Sequence, residues 1–139
     1  MPEVFADTGY WIALIDHRDQ GHNQARRLTE GMANQQIITT EMILTELLNF
    51  ASRQGQNLRI LAGETSRQLC REPNVEVIPQ TSGQFQQALE RYISRPDQGW
   101  SLVDCASFIV MEERRIREAL AFDHYFEQAG FRALLRENE

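Results

Sequence analysis

Four carboxylates in this sequence stand where an ionised group is expensive. Asp7 follows the apolar run Val4-Phe5-Ala6, and Asp123 follows Ala119-Leu120-Ala121-Phe122. Glu46 falls on a helical stripe with Met42, Ile43 and Phe50, and Asp104 lies one turn from Trp100, Ser101 and Phe108. A lone carboxylate among apolar neighbours either neutralises through a raised pKa or needs a cation or a hydrogen-bond network. No lysine exists to serve, because all 14 basic residues are arginine. Each acid alone has an ordinary reading. Asp7 and Asp123 can be N-caps of the helices that follow, and Glu46 and Asp104 can bond to backbone or to Ser101, or face solvent. Together, two acids at strand ends and two on helices beside the same sheet edge describe one negative cluster. Such a cluster suits a hard, oxygen-ligated Mg²⁺ or Mn²⁺ ion, and it is the equipment of metal-assisted phosphodiester hydrolysis.

Bringing these acids together requires strands that end at a common edge. Residues 4–6, 36–40, 75–78 and 119–122 carry the short apolar or β-branched runs of strands, and 131–135 reads as a further one. Helical patterns cover 10–14, 22–32, 41–53, 82–94 and 102–115, with another from about Asn57 to the Glu72-Pro73 break. Thr40, Asn57, Thr81 or Ser82, and Ser101 are placed to cap helices. Strands alternating with one or two helices predict an α/β fold: a three-layer α/β/α sandwich around a mostly parallel, four- to five-stranded sheet. Ligands bind such sheets at the carboxyl ends of the strands, where Asp7 and Asp123 fall.

The 139 residues are 42% hydrophobic with only 8 glycines and 4 prolines, which excludes collagen-like and disordered classes and predicts a single domain over 1–139. No apolar run is long enough to span a bilayer, and the start of the chain lacks the basic flank and apolar core of a signal peptide. Cys70 and Cys105 are too few for a disulfide framework and read as core thiols, which suits a cytoplasmic location. The net charge of −6 opposes a polyanionic partner unless basic groups are segregated from acidic ones.

The chain resembles the PIN-domain family of metal-dependent ribonucleases, most closely its compact toxin members of the VapC type. The opening Val4-Phe5-Ala6-Asp7-Thr8-Gly9-Tyr10-Trp11 is similar to the family's first strand, first acid with a hydroxyl residue after it, and first helix. Thr40 with Glu46-Leu47-Leu48 looks like its second motif, and Ser101-Leu102-Val103-Asp104, the most specific piece, like its Ser/Thr-x-x-Asp. Ala121-Phe122-Asp123 resembles its closing strand and fourth acid. The resemblance implies that Asp7, Glu46, Asp104 and Asp123 are catalytic and hold Mg²⁺ or Mn²⁺, with Thr8 and Ser101 supporting them. It implies cleavage of RNA, a small antitoxin protein that plugs the acidic pocket with arginine, and a homodimer. Arg114 and Arg115, with Arg117 and the pair Arg26-Arg27, are the candidate substrate contacts. The chain departs from the family where a further acid often follows the fourth: here His124 comes next, and the next acid is Glu127.

Three other chemistries meet obstacles in the sequence. Asp7-Thr8-Gly9 is also an aspartic-protease signature, but those enzymes are nearly all β, and helical periodicity dominates here. An aspartyl phosphatase needs a second acid where Gly9 stands. His17, His22 and His124 are not spaced to share a zinc ion. The remaining alternative keeps the fold without the chemistry, as a degenerate PIN-like module that binds RNA or protein.

Overall fold

The computed structural model describes residues 2–137. Five strands form one sheet in the order β3-β2-β1-β4-β5, and every pairing is parallel. They are β1 (Glu3–Ala6), β2 (Gln36–Thr40), β3 (Val75–Ile78), β4 (Glu118–Leu120) and β5 (Arg132–Ala133). Parallel strands need crossovers, and helices supply them. α1 (Thr8–Ile15) and α2 (His22–Glu30) join β1 to β2, and α3 (Glu41–Ala51) and α4 (Gln56–Leu69) join β2 to β3. α5 (Ser82–Ser94) and α6 (Leu102–Arg114) lead back to β4, and α7 (Tyr125–Gln128) to β5.

The helices pack in two groups. α1 touches α2 and α3, and α3 touches α4, whereas α5 packs on α6 and α6 on α7. Right-handed crossovers account for this division, because the chain moves outward from β1 to β3 on one face and must return to β4 across the other. The result is the three-layer sandwich expected, with all five strands parallel. Both sheet faces are therefore buried, and Val4, Phe5, Ala6, Ile38 and Leu120 are fully enclosed. Phe108 of α6 anchors the second face, its ring 5.0 Å from that of Phe126 and 5.1 Å from that of Trp100.

Side-chain caps start three of the helices where the sequence places them. Thr40 Oγ1 accepts the Ile43 amide at 3.1 Å, and Thr81 and Ser101 each form a capping box, with Gln84 and Asp104 respectively. α3 thus starts directly at the end of β2, which fixes where its later turns point. Thr40→Ala is expected to lower stability by about 1 kcal/mol, measured as a reduced midpoint of urea unfolding with an unchanged slope.

Four expectations need correction. α4 begins after Gly55 rather than at an Asn57 cap, because Gly55 takes φ 98°, a left-handed turn that glycine adopts without strain. The fourth strand ends at Leu120, not Phe122: β1 stops at Ala6, opposite Leu120, so Ala121 and Phe122 have no neighbouring strand to pair with. Residues 131–135 hold only a two-residue strand, followed by a 3₁₀ turn over Leu134–Arg136. Cys70 is exposed at the end of α4, and only Cys105 is a core thiol. Of the span 1–139, Met1, Asn138 and Glu139 lie outside the described residues.

Candidate active site

β1 sits in the middle of the sheet, with the earlier elements building outward on one side of it and the later ones on the other. The connections from β1 and β4 therefore diverge, and a crevice opens at the carboxyl ends of these two strands. Asp7 is the residue after β1. Its amide donates to Leu120 O at 3.1 Å, and its carbonyl accepts from the Tyr10 amide at 3.2 Å, so its backbone is held by β4 and by α1. Thr39 ties the same point from β2: its hydroxyl donates to Ala6 O at 3.0 Å and accepts from Trp11 Nε1 at 3.3 Å.

The other acids reach this crevice from separate elements. A hollow of about 560 Å³ is lined by Asp7, Thr8, Glu46, Ser101, Asp104 and Asp123, together with Gly9, Ile12, Phe50, Gly99, Phe122 and Tyr125. The six residues named first are the four acids and two hydroxyls drawn from the sequence. Glu46, Asp104 and Asp123 are each steadied by a hydrogen bond to the carboxylate, and the Thr8 amide bonds that of Asp7. Thr8 Oγ1 donates to Glu46 Oε1. Asp104 Oδ2 accepts the Ser101 amide at 2.9 Å while Ser101 Oγ accepts the Asp104 amide at 3.0 Å. Asp123 Oδ1 accepts the Tyr125 amide at 2.9 Å. Asp7 holds the N-cap position of α1 without a side-chain cap bond, so the helix-start reading does not explain its carboxylate.

The electrostatics follow from this crowding. Burial, and after it the charge of Asp104, pushes the Asp7 carboxyl up to about 8, and Glu46 and Asp123 add to the shift. Burial likewise raises Asp104, reinforced by Asp123 and Glu46 and opposed by its bonds to Ser101. No arginine lines the hollow. The donor set is all carboxylate and hydroxyl, without thiolate or imidazole, which is the chemistry of a hard divalent cation. The four carboxylates border the hollow without closing on one point: among the described residues no three His, Cys, Asp or Glu side chains stand at mutual ligating separation.

Ser101 sits at the centre of one tether. Ser101→Ala removes the hydroxyl that caps α6 but keeps the backbone amide that holds the Asp104 carboxylate, so stability is expected to fall by about 1 kcal/mol. Ser101→Thr, which keeps the hydroxyl, should restore the stability, read as the melting temperature.

The structure does not bring the candidate substrate arginines to this site. Arg114 lies at the opposite edge of the sheet, donating to Glu3 Oε2 and Glu76 Oε1, each at 2.8 Å. Glu3 opens β1 whereas Asp7 follows its end, and four residues of strand span about 13 Å. Arg115 ends α6 in the left-handed conformation at φ 57° and lines a separate hollow with Arg114, Arg117 and Glu118. Helix geometry gives the reason: Asp104 is in the first turn of α6, Arg114 is its last residue, and ten residues of helix span about 15 Å. Glu127 is likewise engaged elsewhere, accepting from Arg136 Nε at 3.0 Å. The histidines are scattered. His22 Nδ1 lies 2.7 Å from the Ala13 carbonyl and His17 lines a different hollow. Sequence reasoning missed the aromatic lining, namely Phe50, Phe122 and Tyr125, because each reads as a core residue of its element.

This fold and this ring of acids define a class of protein. A family model described as the PIN domain matches residues 4–132, and the chain belongs to that family. Among curated relatives, the 23S rRNA-specific endonuclease VapC20 of Mycobacterium tuberculosis, in strains CDC 1551 and H37Rv, is 31% identical over 128 residues, which cover 92% of this chain and 95% of that one. The crystal structure of M. tuberculosis VapC20, described as a sarcin-ricin loop cleaving toxin, superimposes with a TM-score of 0.83 at 30% identity. That match covers 94% of this chain and 97% of the other.

Proposed function

We propose that this protein is a metal-dependent endoribonuclease and the toxin of a toxin–antitoxin pair, working in the cytoplasm as a homodimer. The observation that carries the reading is the hollow at the β1–β4 crevice, which four carboxylates from separate parts of the chain line together with no arginine among the lining residues. Asp7, Glu46, Asp104 and Asp123 would hold Mg²⁺ or Mn²⁺. When bound, the ion supplies the positive charge that phosphodiester hydrolysis demands and lowers the pKa of an attacking water.

The chain's own residues do the rest. Asp7, buried like Asp104, lies directly after β1, and its proton must leave before it can act as a ligand. Thr8 keeps the Glu46 carboxylate aimed inward, and Ser101 does the same for Asp104. The relatives named for cutting 23S rRNA make structured ribosomal RNA the first substrate to try. A small antitoxin with an arginine side chain would compete for the same negative hollow. No helix among the described residues is long and apolar enough to cross a membrane.

The test is incubation of the purified protein with labelled single-stranded and structured RNA in EDTA, Mg²⁺ and Mn²⁺. Cleavage that needs the metal and disappears in Asp104→Asn supports the reading. Metal-dependent stabilisation without cleavage of any RNA would favour the degenerate binding module instead.

A further inference from the structure

The acidic hollow does not end at the acids. A second hollow of about 420 Å³ adjoins it, lined by Asp19, Gln20 and Gly21 and sharing Gly9, Ile12, Phe50 and Phe122 with the first. Phe122 and Phe50 thus stand at the junction, each lining both spaces. Phe50 is 37% exposed although it is an aromatic residue in the last turn of α3.

Phe122 is held in this position by close packing. A Cβ on Gly21 would meet its ring at 2.3 Å, and one on Gly9 would meet it at 3.5 Å. Gly21 has φ −89°, a conformation open to any residue, so its lack of a side chain serves the approach of the ring rather than the backbone. Behind the ring, Arg136 donates to the Phe122 carbonyl at 3.2 Å. Neither hollow is lined by arginine or histidine. An RNA strand entering here meets acids, aromatic faces, glycine backbone and the polar groups of Thr8, Ser101, Tyr125 and Gln20, but no cationic side chain among the lining residues. Base stacking is an attraction that such aromatic faces offer, and it tolerates a net negative protein.

We propose that Phe50 and Phe122 form a nucleobase slot, in which an unstacked base of the RNA beside the cleaved phosphodiester packs against the aromatic rings. The polar edge of that base then faces Asp19 and Gln20, which close the far end of the second hollow. This rests on the nuclease reading and adds to it two positioning residues that are not acids. Phe50, being surface-exposed, can be changed without emptying the core.

The experiment compares wild type, Phe50→Ala, Phe50→Tyr and Gly21→Ala on an RNA that the wild type cleaves, reading KM and kcat separately. Phe50→Ala should raise KM about 5- to 150-fold, the range that stacking on one aromatic side chain commands, with kcat within about twofold. Phe50→Tyr should restore KM, and Gly21→Ala, which must displace the Phe122 ring, should raise it. In parallel, single-stranded RNA carrying 2-aminopurine at successive positions is titrated in Ca²⁺. Quenching at one position, lost in Phe50→Ala, supports the slot whether or not cleavage is seen. Wild type without nuclease activity overturns the functional reading alone, because the quenching still reports on the slot. An unchanged KM in Phe50→Ala, or binding without position-specific quenching, overturns the slot and leaves this aromatic shoulder as a face for a protein partner.

Discussion

Asp7→Asn abolishes RNA cleavage and raises the melting temperature of the metal-free protein. Asparagine keeps the shape of the side chain but carries no charge, so it removes one of the four carboxylates proposed to hold the metal. Losing the charge stabilisation that a catalytic metal provides is worth several kcal/mol, or about three decades in rate. The stability gain has a separate cause. Asp7 is buried and faces Asp104, Glu46 and Asp123, and its carboxyl is pushed up to about 8. At neutral pH the unfolded chain holds Asp7 ionised, so folding must take up a proton or bury a charge. Asparagine avoids both, and about 1–4 kcal/mol of stability is the expected gain in EDTA. Asp104→Asn should abolish cleavage as well, with a smaller gain, because Asp104 also accepts the Ser101 amide. Melting curves and cleavage assays on the same samples check both effects. A variant that unfolds instead would assign Asp7 a structural role and remove it from the catalytic set.

That the acids were legible in the sequence, and the arginines and aromatics were not, has a physical reason. An acid inside an apolar pattern violates the pattern, and each of Asp7, Glu46, Asp104 and Asp123 does so in a way that can be read one residue at a time. Parallel topology then does the gathering, since strands that run the same way end at the same edge. An arginine on a helix violates nothing. Arg114 and Arg115 follow Asp104 on one helix, and only the axial rise of that helix shows that they end at the other side of the sheet. Phe50 suffers the opposite ambiguity: its spacing from Ile43 and Leu47 is that of a core stripe, yet Ile43 and Leu47 are fully buried while Phe50 emerges at the hollow. Gly99 and Gly21 matter through the space they leave for Tyr125 and Phe122, a requirement visible only once the rings are in place. The caps were legible where a hydroxyl residue meets a helix start, at Thr40, Thr81 and Ser101, and were misread at Asn57, where a glycine turn two residues earlier does the work.

Without metal, the protein loses stability as pH rises from about 4 to about 8, and Mg²⁺ or Mn²⁺ reverses the trend. The sign follows from Asp7. Its folded pKa, about 8, lies above the unfolded value of 3.8, so between these limits the folded state holds a proton that the unfolded state has released. Stability then falls with rising pH, by up to about 1.4 kcal/mol per unit for one whole proton, and the penalty is complete above the folded pKa. Asp104, raised by burial and by its acidic neighbours, acts in the same direction. The carboxylates whose pKa is lowered, such as Asp16 beside the Arg18 amide and Glu76 beside Arg114, act in the opposite sense, but their window lies at and below the ordinary carboxylate range. The part of the slope between pH 5 and 7.5 that Asp7→Asn removes therefore belongs to the active-site acids. A divalent cation binds the ionised form, so its stabilising effect must grow with pH, reaching about 2.7 kcal/mol at a hundredfold excess over its Kd. Urea unfolding across that range, in EDTA and in Mg²⁺, reads both effects without any assay of activity. The slope in EDTA should flatten in Asp7→Asn. A wild-type slope that is already flat, or one that Asp7→Asn leaves unchanged, would mean that Asp7 ionises freely in the fold and would deny the site the electrostatic tension on which cation binding depends.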